Sequence, residues 1–370
     1  MDSFAFIIHP IDPKRDVSRK FPLLGKILTE KQINFFSTFF PPVYLSEIEG
    51  IVSAETGRQI KGWLIACPYT PRRMMELPER TVYHKIIQTG RMAEELGAQI
   101  LGLGAFTSVV GDAGVTVARA LEIPVTTGDA YTISVAVQAI CEAAHVMDIP
   151  LQKATAAVVG ATGATGRVCA ELLAGEVERL ILVARDERKL ADLRDRLRGK
   201  ARAELIVSTK MECLAEAQLT LTVTSAIHDV IRPEYLRAGS VICDVARPRD
   251  VSAMVAAARD DILVIDGGMV DVPGPVDFHF NFGFPEGKAY ACMAETMALA
   301  LEGRFEDYTV GKEISMEKVI EITRIAERHG FRLSGFRSFE REVTEAQIET
   351  VRRNARRAGS AKQRHVQEAP

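Results

Sequence analysis

This chain of 370 residues is poor in several things, and each shortage excludes a class of protein. No apolar run approaches the ~18 residues a membrane-crossing helix needs. The opening MDSFAFIIHPIDPKRD lacks the basic stretch and small-residue cleavage pattern of a secretory signal, so a cytoplasmic protein is expected. The six cysteines, Cys67, Cys141, Cys169, Cys213, Cys243 and Cys292, never form C-x-x-C. That spacing argues against a disulfide framework and against a zinc site, and no metal is expected. Excess charge of one sign is missing too: 46 basic residues face 49 acidic ones, for a net −3. Nothing in that balance points to nucleic acid or an anionic membrane as the main partner. What is plentiful is apolar side chain, 47% of the residues, over a length that suggests two domains.

The most informative stretch is Ala156–Gly166, AAVVGATGATG, an apolar run leading into three glycines at three-residue spacing and then a helix. Gly160 lets the chain leave a strand through a tight turn, Gly163 lets backbone N–H groups approach a pyrophosphate, and Gly166 lets a helix pack closely on the sheet. The helix after it turns its positive end toward the phosphates. Thr162, Ala164 and Thr165 complete the expected cradle, with Ser225 and Gly267 after later strands. Apolar runs recur at Leu180–Ala184, Leu205–Val207, Leu219–Thr224, Val241–Val245 and Ile262–Ile265, with helical segments such as Asp186–Arg198 between some of them. That alternation predicts a doubly wound parallel sheet of Rossmann type. The second strand ends Val183-Ala184-Arg185, with Arg188 close behind, where an NAD site would carry an acidic residue. A guanidinium there suits a 2′-phosphate, so NADPH is the expected cofactor.

Residues 1–150 are expected to form an N-terminal α/β substrate-binding domain, residues 151–333 the nucleotide domain, and 334–370 a basic helical extension with a polar tail. In the first, Glu47–Ala54 and Gln59–Cys67 flank Glu55-Thr56-Gly57-Arg58 as a hairpin. A helix around Thr81–Leu96, a strand at Gln99–Leu103, a helix through Asp112–Leu121 and a long amphipathic helix at Ala130–Met147 follow. Two strand-to-helix loops, Gly102–Ser108 and Thr126–Thr132, are candidate site linings, although their Ser, Thr and Asp side chains also suit helix caps. Cys292 opens a helix rich in small and apolar residues, where the helix dipole would lower its pKa and favour a nucleophilic thiolate. A lone cysteine in such a helix also suits plain packing.

Across most of its length the chain resembles the cyanobacterial long-chain fatty acyl-[acyl carrier protein] reductases. The resemblance runs through Thr56-Gly57, Ala105-Phe106-Thr107-Ser108, Thr126-Thr127-Gly128, Val158–Gly163, Leu182–Arg185, Asp266-Gly267-Gly268, Ala291-Cys292 with Ala294-Glu295, and His329-Gly330-Phe331. It implies NADPH-dependent reduction of an acyl thioester, carried on acyl carrier protein or coenzyme A, to a fatty aldehyde. It also implies that Cys292 is the nucleophile of a covalent acyl intermediate. Thr107 and Ser108 are candidate donors to the oxyanion, and Phe278, Phe280 and Phe282 candidate linings of an acyl channel. His279 is a candidate for proton transfer or a structural histidine. The segment Met269–Tyr290 departs from the family pattern, which bears on chain length. Arg352, Arg353, Arg356 and Arg357 form a basic helix face that suits either solvent or an acidic carrier. Two other readings stand beside this one: a shikimate- or amino-acid-type NADP dehydrogenase with an inert cysteine, and a non-catalytic NADP sensor. The first is disfavoured because Lys61 and Lys85 sit in no recognisable motif. A homo-oligomer is compatible with all three.

Overall fold

The structure is a computed structural model that describes residues 1–226, 230–246, 249–339 and 341–367. From the N-terminus run β1 (Asp2–Ile8), three short helices α1 (Pro13–Lys20), α2 (Pro22–Ile27) and α3 (Glu30–Phe36), and the hairpin strands β2 (Val43–Val52) and β3 (Gln59–Ala66). Then come α4 (Pro71–Glu76), α5 (Glu79–Glu95), β4 (Leu101–Leu103), α6 (Phe106–Val109), α7 (Val115–Ala120), β5 (Val125–Thr126) and α8 (Asp129–Val146). The middle of the chain holds β6 (Thr155–Val159), α9 (Ala164–Leu173), β7 (Arg179–Val183), α10 (Glu187–Leu197), β8 (Glu204–Ser208), β9 (Leu219–Thr222), β10 (Val241–Asp244), α11 (Ala253–Ala258) and β11 (Leu263–Asp266). Last are β12 (Met269–Asp271), β13 (Lys288–Tyr290), α12 (Ala291–Glu302), α13 (Met316–His329), β14 (Arg332–Leu333), β15 (Arg337–Ser338), β16 (Arg341–Glu342) and α14 (Glu345–Gln367). No helix among the described residues is long and apolar enough to cross a membrane.

Two compact units result, and their boundaries differ from a simple cut at residues 150 and 334. One unit is Met1–Thr132 with Val270–Ser334; the other is Ile133–Met269 with Gly335–Pro370. The helix carrying Cys292 therefore belongs with the N-terminal sheet and not with the glycine turn. The reason lies in its composition: Ala291 and every residue from Met293 to Leu301 are buried, and a helix apolar all round needs cover on every side. Gly102 of β4 supplies part of that cover. A Cβ there would stand 2.2 Å from Thr296 Oγ1 of α12, so only glycine lets the helix come this close to the sheet.

In the first unit the sheet order is β2-β3-β1-β4-β5. β3, β1, β4 and β5 are parallel, and β2 joins the edge as the antiparallel arm of the expected hairpin. Ile7, Ile65, Leu101, Leu103 and Val125 fill the core with Val82 and Ile86 of α5. Strand β1 and the three-helix insert α1–α3 carry no signal recognised in the sequence, and β5 is only two residues long.

In the main sheet of the second unit all six strands are parallel, in the order β8-β7-β6-β9-β10-β11, while β15 and β16 form a separate antiparallel pair. Counted from β6, this is the 3-2-1-4-5-6 order of dinucleotide-binding folds, with the reversal of direction between β6 and β9. All five later apolar runs of the sequence are strands of this sheet, packed around Ala157, Val159, Ile181, Val183, Ile242 and Val264. The α/β, two-unit fold expected from the sequence is the fold observed.

Candidate active site

The glycine turn lies at the carboxyl end of β6, beside the reversal in strand order. Gly160 has φ +85° and its N–H donates to Val183 O at 2.9 Å, so the chain turns while still tied to β7. A Cβ on Gly166 would lie 2.2 Å from Gly160 O, so this glycine is required by the protein's own packing. Gly163 differs. It is exposed, its φ of −72° suits any residue, and a Cβ there would meet only Gly160 O at 3.3 Å. Room left above a helix N-terminus, with Gly163 as N-cap and Ala164 and Thr165 in the first turn of α9, fits a pyrophosphate approaching the backbone.

At the end of β7, Asp186 is taken up as the N-cap of α10, its carboxylate accepting from Arg188 N at 3.1 Å and Lys189 N at 3.2 Å. Arg185 and Arg188 are exposed. Beyond β9 the loop to Ser225 is held by buried Asp250, which accepts from the hydroxyls of Thr222 and Thr224 and from Thr224 N at 3.0 Å. Ser225 itself is exposed. Gly267 is a packing glycine: a Cβ there would strike Val245 Cγ2 at 2.7 Å.

The second constellation sits within the other unit, at the carboxyl ends of β1, β4 and β5. Cys292 is the second residue of α12, partly buried, and it rests against Gly128. Gly128 has φ +76°, and a Cβ there would come within 2.4 Å of both Cα and Cβ of Cys292. The register of α12 is fixed one turn later by Glu295, which is fully buried. Its Oε1 accepts from Thr126 Oγ1 and, at 2.7 Å, from Thr309 Oγ1, and its Oε2 accepts from Tyr131 N at 2.8 Å. A carboxylate with three such partners ties β5, the start of α8 and the segment after α12 to one point.

Charge around the thiol runs opposite to the expectation of a depressed pKa. Burial pushes the Cys292 thiol up to about 12, and the negative charge of Asp129 adds to the rise. Burial also raises Asp129 to about 7, against a hydrogen bond from Thr127 Oγ1 at 3.0 Å, and raises Glu295. The dipole at the start of α12 is therefore outweighed by desolvation and two neighbouring carboxyl groups. At rest the sulfur is a protonated thiol beside a carboxyl group that titrates near neutrality.

Thr107 and Ser108 are buried, and their hydroxyls donate within the turn, to Gly104 O at 2.8 Å and Ala105 O at 2.7 Å. Ala105 enters α6 at φ +48°, a left-handed conformation costly for a residue with a Cβ. The sequence offered no reason to single out His9, yet its Nε2 accepts from Phe106 N at 2.9 Å and so holds this loop to the end of β1. Burial lowers His9 to about 4, which keeps the imidazole neutral. Phe278, Phe282, Phe284 and Tyr290 form a chain of ring contacts at centroid spacings of 4.9, 5.4 and 4.2 Å, ending two residues before Cys292. His279 is exposed and pairs with Asp277 at 3.2 Å and Glu49 at 3.4 Å.

Other expected players have local partners. Lys61 faces Glu47 and the Trp63 ring, and Lys85 donates to Phe40 O at 2.8 Å. Arg352 and Arg356 of α14 both pair with Asp148. No group of three or more His, Cys, Asp or Glu residues that could hold a metal occurs among the described residues.

The family model for shikimate / quinate 5-dehydrogenase matches residues 141–266, which lie wholly in the glycine-turn unit. Aminotransferase PigE of Serratia sp. is 30% identical over 359 residues, covering 95% of this chain and 42% of that protein, so the chain spans less than half of PigE. Long-chain acyl-[acyl-carrier-protein] reductase of Synechococcus elongatus is 30% identical over 346 residues, covering 89% of this chain and 98% of that enzyme. Among solved structures, L-tryptophan dehydrogenase from Nostoc punctiforme aligns over 96% of this chain and 88% of its own, with 12% identity and a TM-score of 0.41.

Proposed function

Because the chain belongs to the long-chain acyl-[acyl-carrier-protein] reductase family and takes NADPH, we propose that it reduces a long-chain acyl thioester to the aldehyde through an acyl group held on Cys292. The observation that carries this reading is the seating of Cys292 against Gly128 in the first turn of α12, beside Asp129. An inert packing cysteine needs neither a left-handed glycine cleared for it nor a titrating carboxyl group beside it.

In this reading the Cys292 proton leaves as the sulfur attacks, because a thiol pushed up to about 12 holds almost no standing thiolate at neutral pH. Asp129, at about 7, is the acceptor at hand. The S–C bond forms, the carrier's C–S bond breaks, and the carrier departs as a thiol after taking up a proton. NADPH, when bound, supplies the hydride. Cys292 would then be the leaving group: its sulfur would part from the acyl carbon and regain a proton as the aldehyde departs. The ring series from Phe278 to Tyr290 offers apolar surface to the acyl chain, and the Thr107 and Ser108 hydroxyls would serve the carbonyl oxygen only by turning away from Gly104 O and Ala105 O, to which they now donate. Acyl carrier protein or coenzyme A is the carrier in this scheme.

The test is NADPH oxidation with a long-chain acyl-CoA or acyl-carrier thioester, run on wild type and Cys292→Ser, with mass spectrometry of the protein before NADPH is added. An acyl adduct on Cys292 and aldehyde formation, both absent from the variant, support the reading. NADPH binding without thioester turnover in either protein would overturn it and turn attention to keto and hydroxy acids.

A further inference from the structure

We infer that the insert α1–α3 is a docking surface for the interface of an anionic lipid bilayer. The overall balance of −3 conceals a local excess: between Pro13 and Phe36 there are six Lys or Arg against two Asp or Glu. Lys14, Lys26 and Lys31 in this stretch are exposed. The same stretch collects apolar surface. Of fourteen large apolar side chains exposed among the described residues, nine lie between Ile11 and Tyr44, fewer than one residue in ten of the chain. Leu23 and Ile27, each 73% exposed, stand one helical turn apart on α2 and so share a face. Phe35 meets Phe36 and Phe39 at centroid distances of 5.4 and 5.7 Å, although Phe39 is 70% exposed. Scattered apolar side chains on a surface need no explanation, whereas touching rings beside exposed leucine and isoleucine do.

Charge and apolarity together select the occupant. Apolar side chains that enter the acyl boundary, flanked by lysines that meet anionic head groups, are the pattern of interfacial helices. A second copy of this chain would bring the same positive surface against it. An acidic protein would answer the lysines and leave Leu23, Ile27 and Phe39 in water. The insert also adjoins the aromatic series: a Cβ on Gly283 would lie 2.6 Å from the Arg19 guanidinium of α1, and Gly283 stands between Phe282 and Phe284. The value of such a surface for a chain that releases a long-chain aldehyde rests on the function proposed above; the docking itself does not.

The test is flotation of the full chain with phosphatidylcholine vesicles, with and without phosphatidylglycerol. Wild type is expected to float with the anionic vesicles only, and to be released by high salt. Leu23→Ser with Ile27→Ser and Phe39→Ser should weaken partitioning by ~100-fold or more. Lys26→Glu with Lys31→Glu should weaken it about tenfold or more and leave the unfolding midpoint in place, which keeps the test decisive should the apolar variant fail to fold. Failure of wild type to float with anionic vesicles, or equal partitioning of wild type and variants, would overturn the inference. So would a concentration-dependent dimer, or a complex with an acidic carrier protein, that the same changes abolish in the absence of vesicle binding. Turnover of a soluble acyl-CoA without vesicles is measured alongside: a chain that floats but reduces no thioester refutes the Cys292 reading and leaves the docking surface standing.

Discussion

The two units present their candidate sites at the same place in a parallel sheet, the carboxyl ends of the strands, with opposite materials. The edge around Gly160, Gly163 and Gly166 is built of backbone: a turn, a helix N-terminus and an exposed glycine whose Cβ position meets only Gly160 O, at 3.3 Å. The edge around Cys292 is built of side chains held wholly or partly out of water: a thiol, two carboxyl groups raised by burial, and a neutral histidine holding a loop. A cofactor common to many enzymes needs only donors in a fixed geometry, while a reactive sulfur needs its proton controlled by groups in low dielectric.

The sharpest way to break this comparison is Gly128→Ala. The new methyl group would occupy the place of Cys292, so turnover should fall by ~10³-fold or more while NADPH affinity, measured by fluorescence titration, stays within about twofold. Equal loss of both would show the two edges to be one device.

Next in size is Asp129→Asn. If Asp129 accepts the thiol proton, kcat/KM of wild type rises with pH through about 7, and the variant loses that limb and ~10²-fold in rate. Alkylation of Cys292 by iodoacetamide at pH 8 should move the other way and become faster, because a negative charge that raises the thiol pKa is gone. Stability supplies an independent check. The folded carboxyl group binds its proton more tightly than an unfolded one at 3.8, so its contribution is complete below that value and lost as pH rises through about 7. Denaturant midpoints of wild type should fall over that window, and those of the variant should lack this component.

Smallest, and aimed at the other edge, is the pair Gly163→Ala and Gly166→Ala. Gly163→Ala should lower the melting temperature only slightly, because Gly160 O at 3.3 Å must give by a few tenths of an ångström, and should weaken NADPH about tenfold. Gly166→Ala, whose methyl would meet Gly160 O, should lower stability as well. Identical behaviour of the two variants would remove the distinction between a glycine kept for a ligand and one kept for packing.

Legibility in the sequence followed the same division. The backbone edge is local: glycine spacing and five apolar runs lie within about a hundred residues, and the structure realises them as a strand, turn and helix with five further parallel strands. The thiol edge joins His9, Ala105–Ser108, Gly128, Asp129, Cys292 and Glu295, residues far apart in the chain, and nothing in local periodicity announces that they meet. Cys292 was legible as a helix-start thiol, but the sign of its pKa shift was not, because desolvation by distant segments decides it. The insert α1–α3 was opaque for another reason: its apolar residues show no face that a core would demand, since many of them remain exposed.

The discontinuity of the thiol-bearing unit also has a temporal meaning. Its sheet is encoded before Thr132, and α12, which covers β1 and β4, is encoded after Val270. During synthesis at roughly 5–20 residues per second, the growing chain must carry a half-covered sheet for about 10–30 s before the thiol helix emerges to close it. The Cys292 sulfur is thus among the last parts to be put in place, and a truncated chain displays apolar strands without it.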